Sequence, residues 1–136
     1  MSRIVNINGR KYLDGGITDS IPLKFSEEIG CEKNIVVLTQ PYNYVKQKNK
    51  LIGLLKIVLN KYPLIVKASK MRHIIYNKTT EYIKSQEKKG NVLIICPKEK
   101  LIVSRIEKNP LKLKLVYEEG RKCALEKLDS IKEFLN

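Results

Sequence analysis

At 136 residues the chain has the length of one domain, and its 43% hydrophobic and 30% charged residues exclude a disordered polymer. No apolar run approaches the ~18 residues of a membrane-spanning helix, and Met1-Ser2-Arg3-Ile4-Val5-Asn6 lacks the apolar stretch of a secretory leader, so the cytoplasm is the default location. A formal net charge of +13 favours polyanionic partners; the lysines are dispersed and no aromatics interleave with them, which disfavours nucleic acid and leaves an anionic membrane surface.

The chain opens on Ile4, Val5 and Ile7, then Asn8-Gly9, then Lys11-Tyr12-Leu13. Asn-Gly between short apolar runs predicts a hairpin, because a type I′ turn needs positive φ at both central residues. The returning strand leads into Asp14-Gly15-Gly16. Pro22 suits a first helical turn, and Leu23 to Ile29 reads as a short helix stopped by Gly30. Asn34 to Gln40 is a continuous β-branched run, as in a parallel strand buried on both faces, and Pro41 ends it. From Leu51 to Lys89 the pattern is helical, with Leu51, Leu54, Leu55, Val58 and Leu59 in one stripe. Pro63 divides it, and Gly90 is placed to cap the second helix. Asn91 to Cys96 predicts a further buried strand, closed by Pro97. In the loop that follows, Leu101, Ile102 and Val103 are candidates to pack inward. After Asn109-Pro110, Leu111 to Leu135 reads as one long helix with Leu115, Gly120, Cys123 and Leu128 inward. The alternation of strands and helices predicts an α/β fold with a mostly parallel sheet, an N-terminal hairpin and long C-terminal helices.

Cys31, Cys96 and Cys123 have neither metal-ligand nor redox-motif spacing, and with His73 as the only histidine no zinc site assembles; the cysteines read as small buried hydrophobes. No metal and no cofactor is expected.

The stretch Tyr12-Leu13-Asp14-Gly15-Gly16-Ile17-Thr18-Asp19-Ser20-Ile21-Pro22 is the most informative one. By itself it is a tight turn at a strand end. The longer string resembles the patatin-like phospholipases, whose Asp-Gly-Gly motif holds a catalytic aspartate. Asn8 to Leu13 is similar to the hairpin that delivers that motif, Ile35 to Pro41 to the strand that follows, and Arg72-His73 with Tyr76-Asn77 to part of a later helix. The resemblance implies a three-layer α/β/α sandwich of which residues 1–136 are the C-terminal part. It also implies a serine–aspartate dyad acting on lipid acyl esters, with Asp14 as general base and Gly15 and Gly16 shaping its turn.

The chain departs from that pattern. None of Ser2, Ser20, Ser26, Ser69, Ser85, Ser104 or Ser130 lies in Gly-X-Ser-X-Gly, and there is no glycine-rich oxyanion loop. The expectation is therefore a part-domain inactive alone, completed by a serine-bearing partner chain or prone to self-association. Tyr42 and Tyr44, after a parallel strand's C-terminal end, are candidates for an acyl pocket. Asp19 reads as the cap of the helix begun at Pro22, with Ser20 as its rival, or as a residue shaping the turn after Asp14, and His73 reads as a hydrogen-bonded helix histidine. Gln40 stands where close relatives of that family would carry a basic residue. The alternative function is a non-catalytic basic module on an anionic membrane or another polyanion.

Overall fold

The computed structural model describes residues 4–104 and 106–136; the Met1-Ser2-Arg3 segment read for a leader, and Ser2 with it, lies outside them. Among the described residues four strands and five α-helices follow in order: β1 (Val5–Ile7), β2 (Arg10–Tyr12), α1 (Leu23–Glu28), β3 (Asn34–Val37), α2 (Ile52–Val58), α3 (Pro63–Lys88), β4 (Val92–Ile95), α4 (Pro110–Glu126) and α5 (Leu128–Leu135). The α/β class, the hairpin, the parallel strand pair and the helical C-terminus are all present. The chain divides into two compact units. One comprises Met1–Pro22 with Val45–Tyr82, the other Leu23–Tyr44 with Ile83–Asn136.

In the first unit β1 and β2 pair antiparallel, with Val5 opposite Tyr12 and Ile7 opposite Arg10. Asn8 and Gly9 have φ of 50° and 76°, the two positive angles that a type I′ turn demands. A 3-10 turn at Gly15–Ile17 follows directly. Leu59, just after α2, and Val66 on α3 are this unit's buried hydrophobic side chains among the described residues. The Lys11 ammonium donates to the Tyr62 hydroxyl at 3.1 Å and ties the hairpin to the α2–α3 connection.

In the second unit β3 and β4 run parallel, with Asn34 beside Val92 and Val37 beside Ile95, and Leu38 N–H extends the ladder to the Ile95 carbonyl. Val36, Leu38, Val92, Ile94, Ile95, Leu23, Ile83 and Cys123 form the core. Gly30 and Gly90 both have positive φ, at 95° and 80°, where α1 and α3 stop. Asn109 caps α4 by accepting from Leu111 N–H, and Pro110 takes the first turn, where its missing N–H costs nothing.

Four expectations about packing need correction. β3 is not buried on both faces: Val36 is buried, whereas Val37 is 69% exposed and Ile35 is exposed beside it, because among the described residues its sheet has two strands and no layer covers that face of β3. The C-terminal helix is not continuous. It breaks at Lys127, whose φ of −104° and ψ of 7° leave the helical region, and whose ammonium donates to the Ile94 carbonyl at 2.9 Å. Leu115, Gly120 and Leu128 are exposed, so of the four residues expected inward only Cys123 is buried. Ile102 is 90% exposed, while Leu101 and Val103 are half-buried.

Candidate functional site

Asp14, Gly15 and Gly16 form the 3-10 turn after β2. The Asp14 carboxylate accepts from Gly16 N–H at 2.9 Å, so the aspartate caps its own turn. A side chain at Gly16 would be tight: a Cβ there would meet Asp14 Oδ1 at 3.1 Å, with Arg72 Nη2 at 3.7 Å. The carboxylate and the Arg72 guanidinium thus flank one spot on the turn. Ser20 donates its hydroxyl proton to the Gly16 carbonyl at 2.8 Å and does not present it to Asp14. Asp19 accepts from Ile21 N–H at 3.3 Å, in the turn that leads into α1. His73 differs from expectation, since its Nδ1 is buried without a hydrogen-bond partner, as is Arg72 Nε.

Tyr42 and Tyr44 belong to the other unit. Tyr42 lines a cavity of about 340 Å³ at the carboxyl ends of β3 and β4, together with Pro41, Cys96, Pro97, Lys98 and Cys123. Its hydroxyl donates to Glu87 at 2.9 Å, and the Lys84 ammonium lies 4.4 Å from its ring centre. The hydrogen bond to Glu87, then burial, push the phenol's pKa above its ordinary value. Burial, with Glu119 beside it, pushes the Cys123 thiol up as well, which makes it a poor nucleophile. Tyr44 does not line this cavity; its N–H closes a turn onto the Pro41 carbonyl. Cys31 is exposed and Cys96 half-buried, so only Cys123 is the buried hydrophobe expected, and all three thiols are free. Gln40 keeps a buried amide oxygen without a donor.

The larger feature was not anticipated. Between Glu32 and Glu81 the chain has no acidic residue, yet it has nine lysines and Arg72. The unit that includes most of this segment holds twelve Lys and Arg against Asp14, Asp19 and Glu81, a net +9 of the total +13. Lys48, Lys50, Lys56 and Lys70 line one open cleft of about 790 Å³, with Gln47, Asn49 and Ile52. The loop before α2 supplies two of these lysines, α2 a third and α3 the fourth.

That loop is held in place. Asn77 on α3 accepts from Lys46 N–H at 2.8 Å and donates to the Lys46 carbonyl at 3.1 Å, while the Lys46 ammonium sits 4.6 Å from the Tyr76 ring centre. Asn49 then accepts from Leu51 N–H at 2.9 Å, turning the chain into α2.

α2 is unusual for a surface helix. Leu59 at its end is buried and Ile52 and Leu55 are half-buried, which accounts for its inner face. Its outer face should then be polar. It carries instead Leu54 and Ile57, 57% and 74% exposed, flanked by the exposed Leu51 and Val58. Of the expected stripe, only Leu55 and Leu59 face inward. Lys56 is the helix's one charged residue.

Among the described residues no group of His, Cys, Asp and Glu can hold a metal ion, and no helix is long and apolar enough to cross a membrane.

Residues 62–136, more than half of the chain, match the family model described as Domain of unknown function (DUF6363), and the chain belongs to that family. The match is not to the patatin-like phospholipases, so the family resemblance drawn from Asp14-Gly15-Gly16 and its surroundings is corrected. The self-capped turn supplies the physical reason: Asp-Gly-Gly at a strand end is satisfied by local hydrogen bonding in any fold that needs such a turn. No curated protein and no solved structure matches the chain.

Proposed function

We propose that this family member is a non-catalytic module that docks on anionic lipid surfaces through α2 and the lysines around it. One observation carries this reading: α2 turns Leu54 and Ile57 to solvent, and the same helix lends Ile52 and Lys56 to a cleft lined by four lysines and no acid. An apolar helix face alone fits a protein partner, and a basic cleft alone fits any polyanion. The pair fits an interface that is negative at its surface and apolar beneath it. The apolar component also argues against nucleic acid, whose contacts with Lys-rich surfaces rely on phosphate and on aromatic stacking. The test is co-sedimentation with phosphatidylcholine vesicles with and without phosphatidylserine. Binding should need the anionic lipid and should weaken with added salt; equal binding to neutral vesicles, or none to either, would refute the proposal.

A second reading is that the chain contributes the exposed Asp14 carboxylate to lipid acyl-ester hydrolysis. Asp14 is exposed and its orientation is set by Gly16 N–H. Ser20 is engaged elsewhere, so the nucleophile and the oxyanion donors would come from a serine-bearing partner chain. On its own the chain should neither cleave a fluorogenic acyl ester nor react with a fluorophosphonate. Turnover by the isolated chain that disappears in Asp14→Asn would overturn the requirement for a partner.

A further inference from the structure

Resting on the membrane-docking reading, we infer that the lysine-lined cleft recognises a lipid headgroup bearing phosphomonoesters, such as a bisphosphorylated phosphoinositide. Lys48, Lys50, Lys56 and Lys70 reach the cleft from three separate segments, and none of the four pairs with a carboxylate among the described residues. Four lysines that line one cleft with no carboxylate among its lining residues favour an anion there. A single phosphodiester brings one negative charge, whereas a phosphomonoester brings close to two and three oxygens for lysine donors.

The geometry also distinguishes a site from a diffuse basic surface. The reciprocal Asn77 hydrogen bonds to the Lys46 backbone, at 2.8 and 3.1 Å, fix the segment that leads to Lys48 and Lys50. The backbone leading to those two lysines is therefore anchored, which lowers part of the ordering cost of binding. The cleft is open and wider than inorganic phosphate requires, and Gln47 and Asn49 stand among the lysines of its lining. The source is the lipid and not the free sugar phosphate, because the helix that supplies Lys56 to the cleft also carries the exposed Leu54 and Ile57, apolar surface that a free sugar phosphate would leave in water.

The experiment compares vesicles of equal total negative charge, one set made with phosphatidylserine and the other with bisphosphorylated phosphoinositide, using the full chain. The phosphoinositide set should bind about tenfold more tightly. Lys48→Gln with Lys70→Gln should remove that preference while leaving salt-dependent phosphatidylserine binding, with far-ultraviolet dichroism confirming the fold. Equal affinity at matched charge would overturn the headgroup inference and leave membrane docking standing. No binding to either set would remove both. If soluble inositol trisphosphate binds as tightly as the vesicles do, the ligand is a free phosphate and the lipid assignment fails.

Discussion

Replacing Ile57 with serine should weaken vesicle binding without weakening the fold, and the size of the loss follows from exposure. Burying an isoleucine or leucine side chain completely is worth about 1.5–3 kcal/mol relative to leaving it in water. Ile57 is 74% exposed and Leu54 57% exposed, so roughly that fraction remains to be gained at a bilayer. Each therefore stands to contribute about 1–2 kcal/mol, a weakening of about 5- to 30-fold for Ile57→Ser or Leu54→Ser alone. The assay is sedimentation of lipid-loaded vesicles over a range of lipid concentrations. Two controls separate the mechanisms. Ile102→Ser removes an isoleucine that is 90% exposed but belongs to the unit of lower charge, and should leave partitioning unchanged. Leu59→Ala empties a buried position and should lower stability by about 2–5 kcal/mol while the folded fraction binds as before. If the double variant at Leu54 and Ile57 partitions within about twofold of the parent, α2 does not enter the bilayer and the reasoning from its outer face fails.

Ile83 is fully buried, so Ile83→Ala should lower the urea midpoint by an amount equivalent to about 2–5 kcal/mol with the denaturant slope unchanged. Asn109→Ala should cost about 1 kcal/mol by leaving Leu111 N–H without its cap, and Asn109→Ser should recover most of it in the same assay. In an alkaline titration followed by tyrosinate absorbance, Tyr42 should ionise above the ordinary tyrosine range, and Glu87→Gln should bring it down. Because its pKa is raised on folding, its stabilising effect should persist below the unfolded value and be lost as pH climbs through the folded one.

The parts of the fold legible in the sequence are those set by neighbouring residues. Asn8-Gly9 specifies its turn through two positive φ angles, Gly30 and Gly90 stop helices the same way, and Asn109-Pro110 begins one. Burial is set by distant partners. A β-branched run such as Ile35-Val36-Val37 looks the same whether one face or both faces are covered, and here only Val36 is. The break at Lys127 carries neither glycine nor proline. It coincides with a long-range hydrogen bond to the Ile94 carbonyl, for which no local pattern exists.

The cleft failed to register for a related reason. Counting cations along the chain shows lysines spread evenly, whereas the informative quantity is the missing acid between Glu32 and Glu81, which gives one unit most of the net charge. An ordinary solvated helix alternates charge sign to cancel its own repulsion. This segment omits the cancelling charges and, on the helix that carries Lys56, leaves an apolar face uncovered. Cancelling both with a single partner requires a surface that is anionic outside and apolar within, and a bilayer carrying acidic headgroups has that construction.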